Sequence, residues 1–250
     1  MIPNGFSLEG KVAVVAGAGR DWLGALASYL AEAGADVAVA AQDAEKMAAA
    51  TREVEKQGCQ ALAIPTDVTS YQSIEEMVAK VIARWSKIDI LVNNMDLQFA
   101  KPFLEVTEEE WQRVMAANLT PVFLCTKAVG KTMVERKKGS IITLSSVLAE
   151  RGLRNGAAYC ASKGGVGQLT RALALEWARE NIRVNAIGVG WDSNLAGGGL
   201  EEGFSERYIS VRRFCQPEDI GALLVFLASD AASYATGQTY YVSGGVMSHA

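Results

Sequence analysis

The sequence predicts an α/β fold: a doubly wound sheet of seven parallel strands with helices on both faces, built as a single domain over residues 1–250. Three observations predict it. Short apolar runs alternate with helix-periodic segments of ten or more residues, a pattern that calls for right-handed crossovers. A glycine-rich turn follows the first apolar run. No Pro-, Gly- or Ser-rich linker divides the chain.

The elements follow in order. Val12–Ala16 is wholly apolar and reads as a strand buried on both faces. Leu23–Ala33 places Leu23, Leu26, Ala27 and Leu30 on one helical face, with Gly34 as its stop. Val37–Ala41 is the second strand and 44–57 a helix, then Ala61–Pro65 a strand and 71–85 a helix. Ile88–Val92 is the fourth strand, and a long helical region is expected over 107–136. Ser140–Leu144, helix 157–179 and Arg183–Ile187 come next. Segment 191–216 is irregular and contains Gly197-Gly198-Gly199; helix 217–228 and strand Gln238–Val242 close the chain.

Composition narrows the function classes. Half of the 250 residues are hydrophobic, enough for a sizeable core. The formal charge is −4 and the basic residues are dispersed, which argues against a nucleic-acid or anionic-membrane surface. Cys59, Cys125, Cys160 and Cys215 show no metal-site spacing, and His249 is the only histidine, so no metal centre is expected. The amino-terminal residues show no basic segment followed by an apolar core, and 12–18 is too short to span a bilayer. A reducing, cytoplasmic setting is expected.

The first strand-to-helix turn runs Ala16-Gly17-Ala18-Gly19-Arg20-Asp21-Trp22-Leu23-Gly24. Glycine lets backbone approach a pyrophosphate, a helix N-terminus offers unpaired amides, and Arg20 can meet a phosphate bidentately. The second strand ends Ala41-Gln42-Asp43, without an acidic residue in place for a ribose 2′-hydroxyl. That tilts the expected cofactor toward NADP over NAD, although Gln42 can also bond a bare ribose and Asp43 can simply cap a helix.

Taken together, several motifs make the chain similar to the classical short-chain dehydrogenase/reductase family. Tyr159-Cys160-Ala161-Ser162-Lys163 matches the family's Tyr-x-x-x-Lys, and Ser146 stands thirteen residues before Tyr159. Asn118, Asn93-Asn94, Asp67-Val68 and Ile182–Ile187 fall on further family positions. Lys101-Pro102-Phe103, Ser162–Val166 and Leu169-Thr170-Arg171 resemble gluconate and polyol dehydrogenases; 3-oxoacyl carrier-protein reductases look equally near. The resemblance implies a Rossmann fold and hydride transfer between NAD(P) and a ketone or secondary alcohol. It implies Asn118, Ser146, Tyr159 and Lys163 as the catalytic set. Cofactor contacts are expected from Gly17, Arg20, Trp22, Leu23, Gln42, Asp67, Val68, Asn94, Tyr159, Lys163, Gly190 and Asn194. Homo-oligomers are implied too, tetramer over dimer, with the long helices forming one interface and the last strand helping to form another.

The chemistry suits the residue types. Tyr159 and Lys163 are four apart and share a helix face. A free phenol ionises near pH ~10, and a neighbouring ammonium favours its phenolate. Tyr159 can then exchange a proton with an alcohol or alkoxide, and Ser146 can donate to the same oxygen. By resemblance, Lys163 also holds the nicotinamide ribose and Asn118 a proton-relaying water. Cys160 lacks an imidazole partner and is not expected to act as a nucleophile.

The departures cluster around the cofactor. Gly17 to Gly24 spans seven steps where the family has six, and a bulky Trp22 near a pyrophosphate calls for a rerouted backbone. Asp21 would repel phosphate unless it faces away or pairs with Arg20. Met95-Asp96 replaces Ala-Gly, Val189-Gly190 replaces Pro-Gly, Asn194 stands for a threonine, and Ser243 precedes Gly244-Gly245. These changes leave a second reading open: a nucleotide-binding structural or regulatory protein with little turnover. Residues 191–214 are expected to form a substrate lid, with Met95, Asp96, Gln98, Ala149, Glu150, Leu153 and Arg154 as candidates for the pocket wall. Asp96 and Glu150 hint at a hydroxylated substrate.

Overall fold

The computed structural model describes residues 4–19, 21–192 and 209–248. Seven strands form one parallel sheet in the order β3-β2-β1-β4-β5-β6-β7. They are β1 Val12–Ala18, β2 Asp36–Ala41, β3 Ala61–Pro65, β4 Ile90–Met95, β5 Gly139–Ser146, β6 Ile182–Val189 and β7 Thr239–Val242. Between them lie α1 Leu23–Glu32, α2 Ala44–Lys56, α3 Tyr71–Trp85, α4 Glu108–Asn118, α5 Thr120–Arg136, α6 Ala157–Trp177 and α7 Pro217–Ala228. This is the single-domain Rossmann fold that the alternating pattern predicts.

The period of two in each strand explains why the strands read as continuous apolar runs. In β1, Ala13 and Val15 pack into one buried cluster with Leu26 and Leu30 of α1, Ala50 of α2 and Leu224 of α7. Val12, Val14 and Ala16 enter a second cluster with Ile74 and Met77 of α3, Val129 of α5 and Val166 of α6. Both faces of β1 are covered, which is why its run is apolar on both sides.

Several boundaries differ from the sequence reading. β4 starts at Ile90 and continues through Asn93 and Asn94 to Met95, past the expected end at Val92. Those asparagines are fully buried, and the Asn93 amide donates to Thr126 Oγ1 and Thr143 Oγ1, each at 3.2 Å. The expected helix over 107–136 is two helices, with Leu119 between them at φ −109°. Pro121 in the first turn of α5 offers no N–H to continue α4's ladder, and its ring restricts the residue before it. Finally, α6 ends at Trp177 and passes into a 3₁₀ turn over Ala178–Glu180.

The start of the central ladder is fixed by charge. Asp89, 6% exposed, accepts from Val12 N at 3.0 Å and from Arg136 at 2.9 Å, and lies 3.1 Å from Lys87 Nζ. Burial alone would push its carboxyl up. The Arg136 bond, the Val12 amide and Lys87 outweigh that and hold it below the usual range. The order of strands reverses here, since β1 lies between β2 and β4, and a crevice opens beyond their C-terminal ends.

Asp89→Asn is expected to lower unfolding stability by about 1.5–3 kcal/mol. A depressed carboxyl stabilises the fold above the unfolded value of about 3.9, and that contribution is lost as pH falls through the lower folded value. Denaturant unfolding from neutral pH down to about pH 3 should therefore show a smaller acid-induced loss in Asp89→Asn than in the wild type. Parallel losses in the two proteins would contradict this role.

Candidate active site

The first part of the site is a cleft of about 280 Å³ over the C-terminal ends of β1, β2 and β3, lined by Gly17–Gly19, Leu23, Gln42, Lys46, Thr66 and Val68. A Cβ on Gly17 would stand 3.0 Å from Leu23 Cδ1 and 3.4 Å from the Asn94 carbonyl oxygen, so a side chain there would crowd the floor of the cleft. Asn94 backs this floor from β4, paired in register with Gly17. Trp22 N-caps α1 through its backbone, but its ring is 6% exposed and packed in the core under that helix. Its bulk is directed inward rather than into the cleft.

Other residues of this region find partners. Asp43 caps α2, accepting from Glu45 N and Lys46 N at 3.0 Å each, which leaves exposed Gln42 as the polar side chain at the end of β2. Asp21 pairs with Lys46 at 3.1 Å on the cleft rim. The Asp67 carboxylate accepts from the Thr69 hydroxyl at 2.7 Å and the Thr69 amide at 2.9 Å, and these bonds lower its pKa. Val68, 4% exposed, lines the cleft beside it. Gly190, just beyond β6, donates its N–H to the Val242 carbonyl at 2.8 Å. Arg20, Asn194 and the greater part of the expected lid, 193–208, lie outside the described residues.

The second part of the site lies where α6 crosses the ends of β4 and β5. Tyr159 and Lys163 are 2% and 1% exposed. The Tyr159 hydroxyl donates to Asp96 Oδ1 at 2.8 Å, and Lys163 Nζ lies 2.7 Å from the same oxygen. Lys163 also donates to the Met95 carbonyl at 2.7 Å and stands 5.5 Å from the centre of the Tyr159 ring. Asn118, at the end of α4, clasps Leu97 from both sides: Leu97 N donates to its Oδ1 at 2.6 Å, and its Nδ2 donates to Leu97 O at 2.9 Å. Its Nδ2 also reaches Ser162 Oγ at 3.0 Å. Ser146 ends β5, fully buried, and its Oγ accepts from Leu148 N at 3.2 Å.

Three of the four expected catalytic residues thus converge on the segment Met95–Leu97, and Ser146 stands at the end of the adjacent strand. The sequence reading missed the partnership of Asp96, which it placed only on the pocket wall. The signal was present in Met95-Asp96, where the resemblance leads one to expect Ala-Gly. An apolar cluster of Val147, Leu148, Trp191, Ile209 and Val246 surrounds Tyr159, with Leu153, Cys160 and Phe214 against it. Burial raises the Cys160 thiol pKa, which keeps it a thiol rather than a nucleophilic thiolate. Glu150 points to Arg171 at 3.0 Å.

The residues present fit a dinucleotide. The cleft at Gly17 admits backbone-close groups beside the N-terminus of α1, and Tyr159 and Lys163 stand beyond it across β4. Among the described residues no cluster of His, Cys, Asp and Glu could hold a metal ion, and no helix is long and apolar enough to cross a membrane.

Comparisons with known proteins agree with this architecture. Residues 24–247 match a family model described as enoyl-(acyl carrier protein) reductase. A 3-oxoacyl-[acyl-carrier-protein] reductase of Synechocystis sp. is 36% identical over 243 residues, which cover 96% of this chain and 98% of that protein. The 5-keto-D-gluconate 5-reductase of Escherichia coli is 35% identical, with 97% of each chain covered. The structure of a gluconate 5-dehydrogenase from Burkholderia cenocepacia, solved in complex with NADP and tartrate, superposes with a TM-score of 0.91 at 32% identity, covering 99% of both chains. Members of this family typically use NAD(P), in keeping with the nucleotide-binding architecture described above. The chain belongs to the classical short-chain dehydrogenase/reductase family, related to its 3-oxoacyl carrier-protein reductases and its gluconate and polyol dehydrogenases.

Proposed function

We propose that this protein is an NAD(P)-dependent oxidoreductase that interconverts a ketone and a secondary alcohol, with Tyr159 as the acid/base. The observation that carries the reading is the buried Tyr159–Lys163 pair, aimed at the end of β4 from one face of α6. When bound, the nicotinamide supplies or accepts the hydride. The chain's own groups handle the proton and the alignment. The Tyr159 hydroxyl gives its proton to the oxygen of a reduced carbonyl, or takes one from an alcohol. Ser146 donates a hydrogen bond to that oxygen. Lys163 sets the electrostatic field at the phenol and binds ribose hydroxyls. Asn118 fixes the segment that carries Asp96 and, following the family pattern, holds a water that passes protons outward. The apolar cluster around Tyr159 excludes other water.

For the cofactor we favour NADP over NAD. One oxygen of Asp43 accepts from the α2 amides, exposed Gln42 ends β2, and Lys46, paired with Asp21, stands on the rim. Gly17, Trp22, Leu23, Asp67, Val68, Asn94 and Gly190 belong to the same proposed pocket, as do Arg20 and Asn194. The substrate is a small carbonyl or alcohol. A homo-oligomer, tetramer over dimer, belongs to the proposal; exposed Phe123 of α5 and Leu175 of α6 support it. So does a cytoplasmic setting.

The contact of Asp96 with both Tyr159 and Lys163 favours a second reading, a nucleotide-binding protein with little turnover, because it occupies groups that the reaction needs. Two measurements separate the readings. Tyr159→Phe should lose about 10²–10⁴-fold in turnover across a ketone and alcohol panel while binding cofactor as the wild type does. Full activity in that variant would sink the assigned mechanism, and binding without any wild-type turnover would favour the second reading. Separate fluorescence titrations should show tighter binding of NADPH than NADH; equal affinities would remove the NADP preference.

A further inference from the structure

The geometry points to Asp96 as a positioning residue that sets the protonation of Tyr159: it keeps the phenol protonated and offsets the charge of Lys163, which biases the site toward proton donation and hence carbonyl reduction. This rests on the reading of Tyr159 as the acid/base.

One carboxylate oxygen, Asp96 Oδ1, receives both the Tyr159 hydroxyl at 2.8 Å and the Lys163 ammonium at 2.7 Å. The side chains of Lys163 and Asp96 are 1% and 3% exposed, so water screens them little. Lys163 alone would favour a phenolate on Tyr159. A carboxylate against that ammonium offsets part of its field. The carboxylate also accepts the phenol's proton in a hydrogen bond, which stabilises the neutral phenol, and it would repel a phenolate on the same side. Both effects act in one direction.

The arrangement is held from several elements. Asp96 N donates to Ala18 O at 3.0 Å, continuing the β1–β4 ladder by one residue. Gly19 lies on the Asp96 backbone at φ +94°, and a Cβ there would come within 1.9 Å of the Asp96 carbonyl oxygen. Asn118 clasps the next residue, Leu97, from both sides. Among the described contacts, the charged and titratable groups that meet Asp96 are Lys163 and Tyr159 of α6. β1 brings backbone at Ala18 and Gly19, and the loop after β4 brings the neutral Gln98 amide, 3.5 Å from Oδ2. Arg20 follows Gly19 and lies outside the described residues. The loop that would cradle a pyrophosphate therefore rests directly on the residue that controls the proton donor.

The consequence concerns pH. Reduction needs Tyr159 protonated and oxidation needs it ionised. Raising the pH of its ionisation widens the range for reduction and moves alcohol oxidation to higher pH.

The test reads Tyr159 itself, without cofactor or turnover. Tyrosinate absorbance is titrated for the protein and for its Tyr159→Phe counterpart, and the difference isolates Tyr159. The wild type should keep Tyr159 protonated well above neutrality. Asp96→Asn and Asp96→Gly, each against its own Tyr159→Phe double variant, should ionise lower by about 1–3 pH units. The acid limb of kcat/KM for alcohol oxidation should move down with them; a merely structural role would reduce its height and leave its position unchanged. Ionisation of wild-type Tyr159 near neutrality, or unshifted midpoints in the variants, overturns the inference. Ionisation of the wild type near neutrality overturns it even if neither variant folds. Absent turnover with shifted midpoints would refute the proposed reaction and leave the Asp96 assignment standing, whereas turnover with unshifted midpoints would do the reverse.

Discussion

The β1–β4 ladder is the constraint on which the rest of this molecule depends. It joins strands far apart in sequence at the point where the sheet order reverses. At its entry, Asp89 holds the first amide of β1 and two cations. At its exit, the pairing of Ala18 with Met95 lays the glycine turn against Asp96. The nucleotide cleft and the Tyr159–Lys163 pair are therefore set by one continuous backbone register rather than by independent loops. A slip of one residue would turn Asn93 and Asn94 to the wrong faces and separate Lys163 from the Met95 carbonyl.

The frame of the fold was legible because its signals are local. Apolar runs such as Val12–Ala16, capping chemistry such as Pro217 at the start of α7, and glycine stops such as Gly34 each act within a few residues. The end of β4 was not legible by hydrophobicity, since Asn93 and Asn94 are polar and yet wholly buried. The amide of Asn93 is satisfied by hydroxyls from α5 and β5, a fact no window of sequence contains. The break at Leu119 was readable in principle from Thr120-Pro121.

The candidate site divides in the same manner. Tyr159 and Lys163 announce themselves by spacing on a helix. Trp22 shows the limit of reading a motif by position alone: an aromatic ring in a nucleotide turn suggested a rerouted loop, but the ring is buried beneath α1 while the backbone still caps it. The Asp96 contact needed the strand register, the placement of α6 and the permissive Gly19 together, so it emerges only in three dimensions. The departure from Ala-Gly at Met95-Asp96 marked the position without telling what the carboxylate would touch.

Tyr159 and its neighbours are proposed to support hydride exchange at a carbonyl carbon. Isotope transfer tests it most directly. The protein is incubated with reduced nicotinamide cofactor deuterated at either face of the transferable position, together with a panel of ketones and keto-sugars, and the products are read by mass spectrometry. Deuterium is expected on the carbinol carbon of at least one product, delivered from a single face of the cofactor. Unlabelled products throughout, or no alcohol formed from any ketone by protein that binds the cofactor, would contradict it.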